Sequence, residues 1–312
     1  MSSLRVPKTS LAAEQLQRLI GIAGQLDDLE TALKRASRAD GATLRAARRL
    51  NRAAGTLAVS VLMDSAVQHY RGSFENRAMF TPLAVSALTL AISAHGTADK
   101  RPATHRIRQA VYSSAALTGI AGVGFHLYNV LKRPGAVTWQ NLFYGAPLGA
   151  PAAILLSGLL GSAAEQVRGN PPERARVLGL PGGRLLAAIS GIGMFATAAE
   201  AGLLHFRGAF HNPAMFAPVT IPPIAGAALL EAAIGPRGRG RWMTRWCMRL
   251  TALLGVIGSA FHVWGVQRNM GGWRNWRQTV LNGPPIPAPP SFTGLALAGL
   301  AALGLLEDHP DG

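Results

Sequence analysis

The chain contains a single cysteine, Cys247. One thiol cannot form an intramolecular disulfide, ligate an iron-sulfur cluster or attach a c-type haem, because each of these needs several cysteines at set spacings. The sequence also has no Walker A pattern, no HExxH and no GxSxG. Catalysis confined to this polypeptide therefore has no support in the sequence, and a role as an electron-transfer subunit of an oxidoreductase complex stays open.

Charged residues are scarce as well. They make up 15% of the chain, and 49% is hydrophobic, whereas soluble domains carry about 25% charged residues. This composition indicates a membrane protein. The net charge of +16 would ordinarily suggest a nucleic-acid partner, but every Lys and Arg lies outside eight apolar segments, which are 54–70, 79–95, 110–130, 146–163, 185–206, 214–234, 250–266 and 292–306.

These segments predict an all-α integral membrane protein with about eight transmembrane helices. Several are shorter than the ~20 residues that a straight span needs, so we expect their ends to extend into flanking residues. The connectors on the side of the N-terminus hold 23 of the 31 basic residues. Because positive charge resists translocation, we expect both termini in the cytoplasm of a bacterial-type cytoplasmic (inner) membrane, with lipid rather than nucleic acid as the partner of the basic loops.

The chain repeats itself at one offset. "HYRGSFENRAMFTP" begins at His69 and "HFRGAFHNPAMFAP" at His205, while "GIAGVGFH" ends at His126 and "GVIGSAFH" at His262, and both pairs are 136 residues apart. An even number of spans per copy gives two units of the same orientation. We therefore predict two tandem parallel four-helix units, residues 54–163 and 185–306, joined by a cytoplasmic linker, 164–184, and followed by a cytoplasmic tail, 307–312.

Residues 1–53 differ from the rest and predict a cytoplasmic amphipathic helix. Apolar residues alternate three and four positions apart, which suits a short coiled-coil seam or a helix lying on the membrane or on its own domain. These residues are Leu19, Ile22, Leu26, Leu29 and Leu33.

The four repeated histidines are candidate metal or cofactor ligands. Each stands near the outer end of a span, and three of them follow glycine or alanine at the positions four and seven residues earlier. Small residues allow close helix packing or leave a flat slot for a macrocycle. We expect haem b to be bound by His69 with His126 and by His205 with His262, and Arg71 and Arg207 to bind either the haem propionates or lipid phosphates.

Two acids inside the spans, Asp64 and Glu200, occupy equivalent positions in the two copies. Intramembrane acids are costly and usually functional, so these two are candidates for a proton or substrate path, or for a proton donor near a quinone. The sequence thus favours a di-haem electron-transfer subunit that anchors a periplasmic dehydrogenase. A transporter or channel lined by these acids and the histidines, and a structural assembly subunit, are the alternatives.

Overall fold

The structure, a computed structural model, describes residues 9–236 and 240–307; between residues 9 and 40 it describes the side chains at positions 17, 18, 21, 25 and 29 only. The described chain is almost entirely helical. Its helices are α1 Thr9–Arg71, α2 Thr81–Ala98, α3 Arg106–Leu131, α4 Trp139–Tyr144, α5 Gly149–Val167, α6 Gly182–Arg207, α7 Ala217–Ile234, α8 Trp242–Arg268, α9 Trp276–Asn282 and α10 Pro290–Glu307.

Within the described ranges, seven helical segments are long and apolar enough to cross a membrane, which confirms a multi-pass membrane protein in contact with lipid. All seven coincide with apolar segments of the sequence, and most extend into the flanking residues as expected. Their bounds are Arg77–Ala98, Arg106–Leu131, Gly149–Val167, Gly182–Arg207, Pro213–Ile234, Trp242–Arg268 and Pro290–Glu307.

The eighth predicted span, 54–70, is the C-terminal part of α1. This helix has 63 residues and continues without a break across position 53. Its residues Leu50, Leu57 and Val61 are buried, where α1 packs against α2, α5 and α10. Polar residues such as Asp64 and Gln68 make this segment less apolar than the other seven. Of the predicted apolar seam, Leu29 is exposed, and the side chains of the other four members lie outside the described residues.

The helices of the two halves contact one another in the same order. In the first half, α1 and α3 each pack against α2 and α5; in the second, α6 and α8 each pack against α7 and α10. The first and third long helices of each half are therefore diagonal. The halves meet where α1 contacts α10 and α5 contacts α6.

The buried core lies toward one end of the bundle. We call this end the inner face; it carries residues 96–105 and 164–184, and the outer face carries the turns that follow α1 and α6. The main apolar cluster is formed by the inner ends of these helices and includes Leu50, Leu160, Leu186, Leu229, Met248 and Leu305. At the inner face, a two-residue hairpin pairs Arg176–Val177 with Leu180–Pro181.

Candidate functional site

The repeated string beginning at His69 folds into a compact outer turn. His69 Nδ1 lies 2.6 Å from the carbonyl oxygen of Met79, and the rings of Phe74 and Phe80 stack at 4.3 Å. Asn76 accepts a hydrogen bond from the amide of Ala78 at 2.8 Å and so caps the 3₁₀ turn Arg77–Phe80. The repeated residues are therefore explained first by the contacts that hold this turn.

The second copy has the same geometry. His205 Nδ1 lies 2.9 Å from the carbonyl oxygen of Met215, Phe210 and Phe216 stack at 4.6 Å, and Asn212 accepts from the amide of Ala214 at 2.9 Å. Phe74 and Phe210 both have positive φ, 50° and 45°, a conformation that is unfavourable for bulky residues. The ring stacking and the histidine bond must hold the backbone in this conformation in both copies.

The other two histidines bond to backbone carbonyl groups of the outer connector that follows their own helix, α3 or α8. His126 Nδ1 contacts the carbonyl oxygen of Pro147, and His262 Nδ1 lies 2.7 Å from that of Pro285. A carbonyl oxygen can only accept a hydrogen bond, so the proton of each neutral ring is on Nδ1. Among the described residues, nothing bonds to the Nε2 atoms of the four histidines.

A histidine held in this way is suited to metal ligation. The hydrogen bond from Nδ1 fixes both the tautomer and the orientation of the ring, and it leaves the Nε2 lone pair for a ligand. The two histidines of each half come from diagonal helices, and they lie within electrostatic range of each other, His126 with His69 and His262 with His205. All four are partly exposed, so a ligand would have access to them.

The glycines beside the histidines are occupied by helix packing. A Cβ added at Gly119 would overlap the backbone of Leu155, and one at Gly122 would lie 2.9 Å from Pro151 Cβ. In the second half, a Cβ at Gly258 would lie 2.9 Å from Pro289 Cβ. These glycines therefore let α3 pack against α5, and α8 against α10, rather than leaving an open slot. Any macrocycle would have to lie on another side of the histidine rings.

The two arginines of the outer turns have different surroundings. Arg71 is exposed and bonds to Gln68 Oε1 at 3.3 Å. Arg207 donates to the carbonyl oxygen of Phe143 at 3.1 Å and lies 4.9 Å from the centre of the Tyr144 ring. Arg207 thus joins α6 to the outer connector of the first half, whereas Arg71 is available to an anionic group.

The structure places the two intramembrane acids near each other. Asp64 and Glu200 lie within electrostatic range of each other across the two halves, and Asp64 is also within range of His69. The carboxylate of Glu200 lies against Gly149, the first residue of α5. A carboxylate at a helix N-terminus is favourable, so Glu200 has a structural role in joining α6 to α5.

Sequence reasoning missed a buried ion network at the inner face. The side chains of Arg108 and Glu165 are both 0% exposed and form a two-bond pair of 2.8 and 3.0 Å. Arg108 also bonds to Asp99 Oδ2 at 2.8 Å, and Arg168 donates to the carbonyl oxygen of Gly96 at 2.8 Å. The signal in the sequence was the position of Arg108 and Glu165 at the ends of apolar segments. Charged residues at such positions are ordinarily expected to be solvated in loops.

Asp99 belongs to this network and lies just beyond α2. Hydrogen bonds from Arg101 and from Arg108 hold the pKa of the Asp99 carboxyl well below its usual range, against the effect of burial. The network connects α2, α3 and α5. Its position at the inner face, and the pairing of Arg108 with two acids, indicate a structural connection between helices rather than a reactive site. The Nε of Arg168 has no hydrogen-bond partner among the described residues and lies 3.8 Å from Glu165 Oε1.

In the second half, the position that corresponds to Tyr112 is apolar. Gly161 faces the ring of Tyr112, and its counterpart Gly299 faces Met248 and Leu229. Tyr112 bonds to Asn51 and Ser93, whereas Met248 has no polar group to pair. The two halves therefore differ at the inner face and agree at the outer face, where the histidines are.

Across the described residues, no group of three or more His, Cys, Asp or Glu side chains is arranged to hold a metal ion. A pair of imidazoles is a different arrangement, because a haem iron already has four ligands from its macrocycle and needs only two from the protein. Comparisons with protein families, curated proteins and solved structures found no match.

Proposed function

We propose that this membrane protein transfers electrons through two b-type haems, one held near the outer face of each half by His69 with His126 and by His205 with His262. The observation that carries this proposal is the hydrogen bond from Nδ1 of each histidine to a backbone carbonyl group. All four histidine rings make this bond, two from the first long helix of each half and two from the third. It sets the tautomer that iron ligation requires.

The donor set fits such a cofactor. Each half supplies two neutral imidazoles from diagonal helices at the same face, and bis-histidine ligation of haem iron needs such a pair. Haem, when bound, would supply one-electron redox chemistry at its iron. Arg71, which is exposed beside His69, would pair with a propionate or with a lipid phosphate. The protein would position the iron and set its surroundings.

The same proposal includes the architecture, two tandem parallel four-helix units with the histidines on the periplasmic side of an inner membrane. It is supported by the common offset of 136 residues, by the matching order of helix contacts and by the two outer turns of equal geometry. Electrons would enter from a periplasmic dehydrogenase docked on the outer connectors and pass to quinone.

An absorption spectrum of the purified protein tests the haem proposal. Protein from a haem-replete host should show a Soret band, and reduction should give the sharp bands of a six-coordinate b-type haem. His126→Ala and His262→Ala should each remove about half of the haem, because each damages one of two equivalent pairs. His211→Ala is the matched control, because His211 is an exposed histidine of the outer face that bonds only to the carbonyl oxygen of Gly208.

Size-exclusion profiles separate loss of haem from loss of fold. A His126→Ala protein that elutes as the parent does, with its haem reduced by half, supports the proposal. A wild-type protein without a Soret band contradicts it, and so does full haem content in a folded protein that lacks both His126 and His262.

One observation favours a second function, transport of protons or of a small cation. Asp64 and Glu200, from different halves, lie within electrostatic range of each other, and paired acids within a membrane usually belong to an ion path. Flux into liposomes that is abolished by Asp64→Asn would support this function. Equal flux in the wild type and in Asp64→Asn would contradict it.

A further inference from the structure

A cavity of about 260 Å³ lies at the inner face, between the hairpin of the connector and the start of α6. It is independent of the histidine pairs, which lie at the opposite face. Its lining includes two arginines, one acid, the first turn of α6 and two leucines. The residues that matter here are Glu173, Arg176, Gly183, Arg184, Leu305 and Leu306.

We propose that this cavity binds the phosphate of a phospholipid head group. Three groups of positive character meet there. Arg176 is exposed and donates one bond to the carbonyl oxygen of Gly179 at 2.8 Å, so most of its donors remain for a ligand. Arg184 makes only a long bond, 3.4 Å, to the carbonyl oxygen of Gly235.

Arg184 contributes a second guanidinium group to the walls of the cavity. Its Nε is buried and has no hydrogen-bond partner among the described residues. Because that Nε is fully buried, a phosphate in the cavity would not bond to it but would compensate the charge of the guanidinium group from beside it. Phosphate is an anion that the planar donors of arginine commonly bind.

The start of α6 adds to the site. This helix has 26 residues, and no side chain caps its N-terminus. The amide of Gly182 is used by the carbonyl oxygen of Ala175 at 2.8 Å, but helices begin with up to four amides that lack an intrahelical partner. Together with the helix dipole, such amides bind phosphate groups.

The depth of the cavity selects a lipid as the source of the phosphate. α6 and α10 are membrane-spanning segments, and the cavity lies at the first turn of one and the last turn of the other. Lipid phosphates occupy the level at which spanning helices leave the hydrocarbon. Leu305 and Leu306 also line the cavity, and apolar lining residues suit part of a lipid better than a fully hydrated ion.

Glu173 sets the preference among head groups. Its carboxylate also lines the cavity, where it opposes a purely anionic ligand and attracts a cationic group. A head group that carries a primary amine beyond the phosphate would satisfy both Glu173 and the arginines. We therefore expect phosphatidylethanolamine to bind more tightly than phosphatidylglycerol, and Glu173→Gln to reverse that order.

Native mass spectrometry of the detergent-purified full chain, titrated with phosphatidylethanolamine, tests the proposal. The wild type should bind one lipid molecule saturably. The double variant Arg176→Gln with Arg184→Gln should bind it about thirty-fold more weakly, because two basic residues near the phosphate are lost. Arg174→Gln is the matched control, because Arg174 is an exposed arginine of the same connector that does not line the cavity. It should bind as the wild type does.

Inorganic phosphate in a parallel titration distinguishes the two sources. If phosphate alone competes fully with the lipid at micromolar concentration, the site is for a free anion and the lipid proposal is wrong. Equal lipid affinity in the wild type and in a folded double variant also contradicts it. Should the double variant not fold, Arg176→Gln alone, a change at an exposed side chain, must still weaken lipid binding by several-fold.

Discussion

Asp99 is a carboxylate whose protonation depends on two arginine neighbours. Hydrogen bonds from Arg101 and Arg108 hold its pKa well below its usual range. A lowered pKa in the folded state stabilises the fold above the unfolded pKa, about 3.9 for aspartate, and this stabilisation is lost as the pH falls through the folded pKa.

We therefore expect Asp99→Asn to be less stable than the wild type at pH 7, and the difference to shrink as the pH is lowered below about 4. Thermal unfolding in detergent between pH 7 and pH 3 measures it. Glu75→Gln, at an exposed carboxylate of the outer turn, is the control and should give parallel curves. A constant difference between Asp99→Asn and the wild type at every pH would contradict the expectation.

The candidate ligands were predictable as residues, but their surroundings were not. The common offset of 136 residues is sufficient to select His69 and His126 with their counterparts. Their hydrogen-bond acceptors are backbone carbonyl groups, such as that of Pro147, and a backbone carbonyl has no sequence signature. The contact between Glu200 and Gly149 could not be predicted either, because it depends on how the two halves meet.

At the scale of helices, the glycines of α3 differ sharply in what surrounds them. A Cβ at Gly119 would overlap the backbone of Leu155 in α5, whereas a Cβ at Gly124 would meet nothing within 4 Å. The two positions are in one helix, five residues apart. They therefore allow the packing of α3 against α5 to be tested with a single type of substitution.

Gly119→Ala should lower the free energy of unfolding by about 1–3 kcal/mol, because backbone atoms of α5 must move away. Gly124→Ala should leave it unchanged or raise it by up to about 1 kcal/mol, from the better helix propensity of alanine. Unfolding by SDS in mixed micelles measures both. Equal effects of the two substitutions would show that α3 and α5 are not in close backbone contact.

The ion pairs at the inner ends of the helices should also differ in strength. The side chains of Arg108 and Glu165 are fully buried, whereas those of Arg245 and Glu307 are 26% and 21% exposed. Removing one partner of a buried pair leaves an uncompensated charge, which costs about 3–5 kcal/mol, and removing one partner of a more exposed pair costs about 1 kcal/mol or less.

Glu165→Ala should therefore destabilise the protein far more than Glu307→Ala. SDS unfolding at neutral pH measures both variants. Replacing both Arg108 and Glu165 by methionine should recover much of the loss, since apolar residues of similar volume often replace a buried pair without cost. A Glu165→Ala protein as stable as the wild type would contradict the burial of this pair.

For the whole molecule, the orientation that we expect from the distribution of basic residues can be tested by labelling. In a Cys247→Ala background, Val137→Cys in the outer connector should react with a membrane-impermeant maleimide on intact spheroplasts. Ala103→Cys, at the inner face, should react only after permeabilisation. Both positions are exposed, and neither change alters the charge that sets the orientation. The reverse pattern would place the histidines on the cytoplasmic side.

The seven spans were predictable because apolar composition is a signal that tertiary context does not change. The extent of α1 was not. Composition separates residues 1–53 from 54–70. An α-helix makes its backbone hydrogen bonds within itself, in water as well as in lipid, so one helix can continue through both segments. The inner ion network was missed for a related reason, since charged residues at span ends are expected to be solvated and Glu165 is not.

The continuity of α1 also has a mechanical consequence. At a rise of about 1.5 Å per residue, 63 residues form a rod of about 95 Å. Its outer end carries His69, and its other end is Thr9. A tilt of about 5° would displace one end relative to the other by about 8 Å, so a small change in how the core holds residues 42–61 would move the distant end of the helix by several times as much.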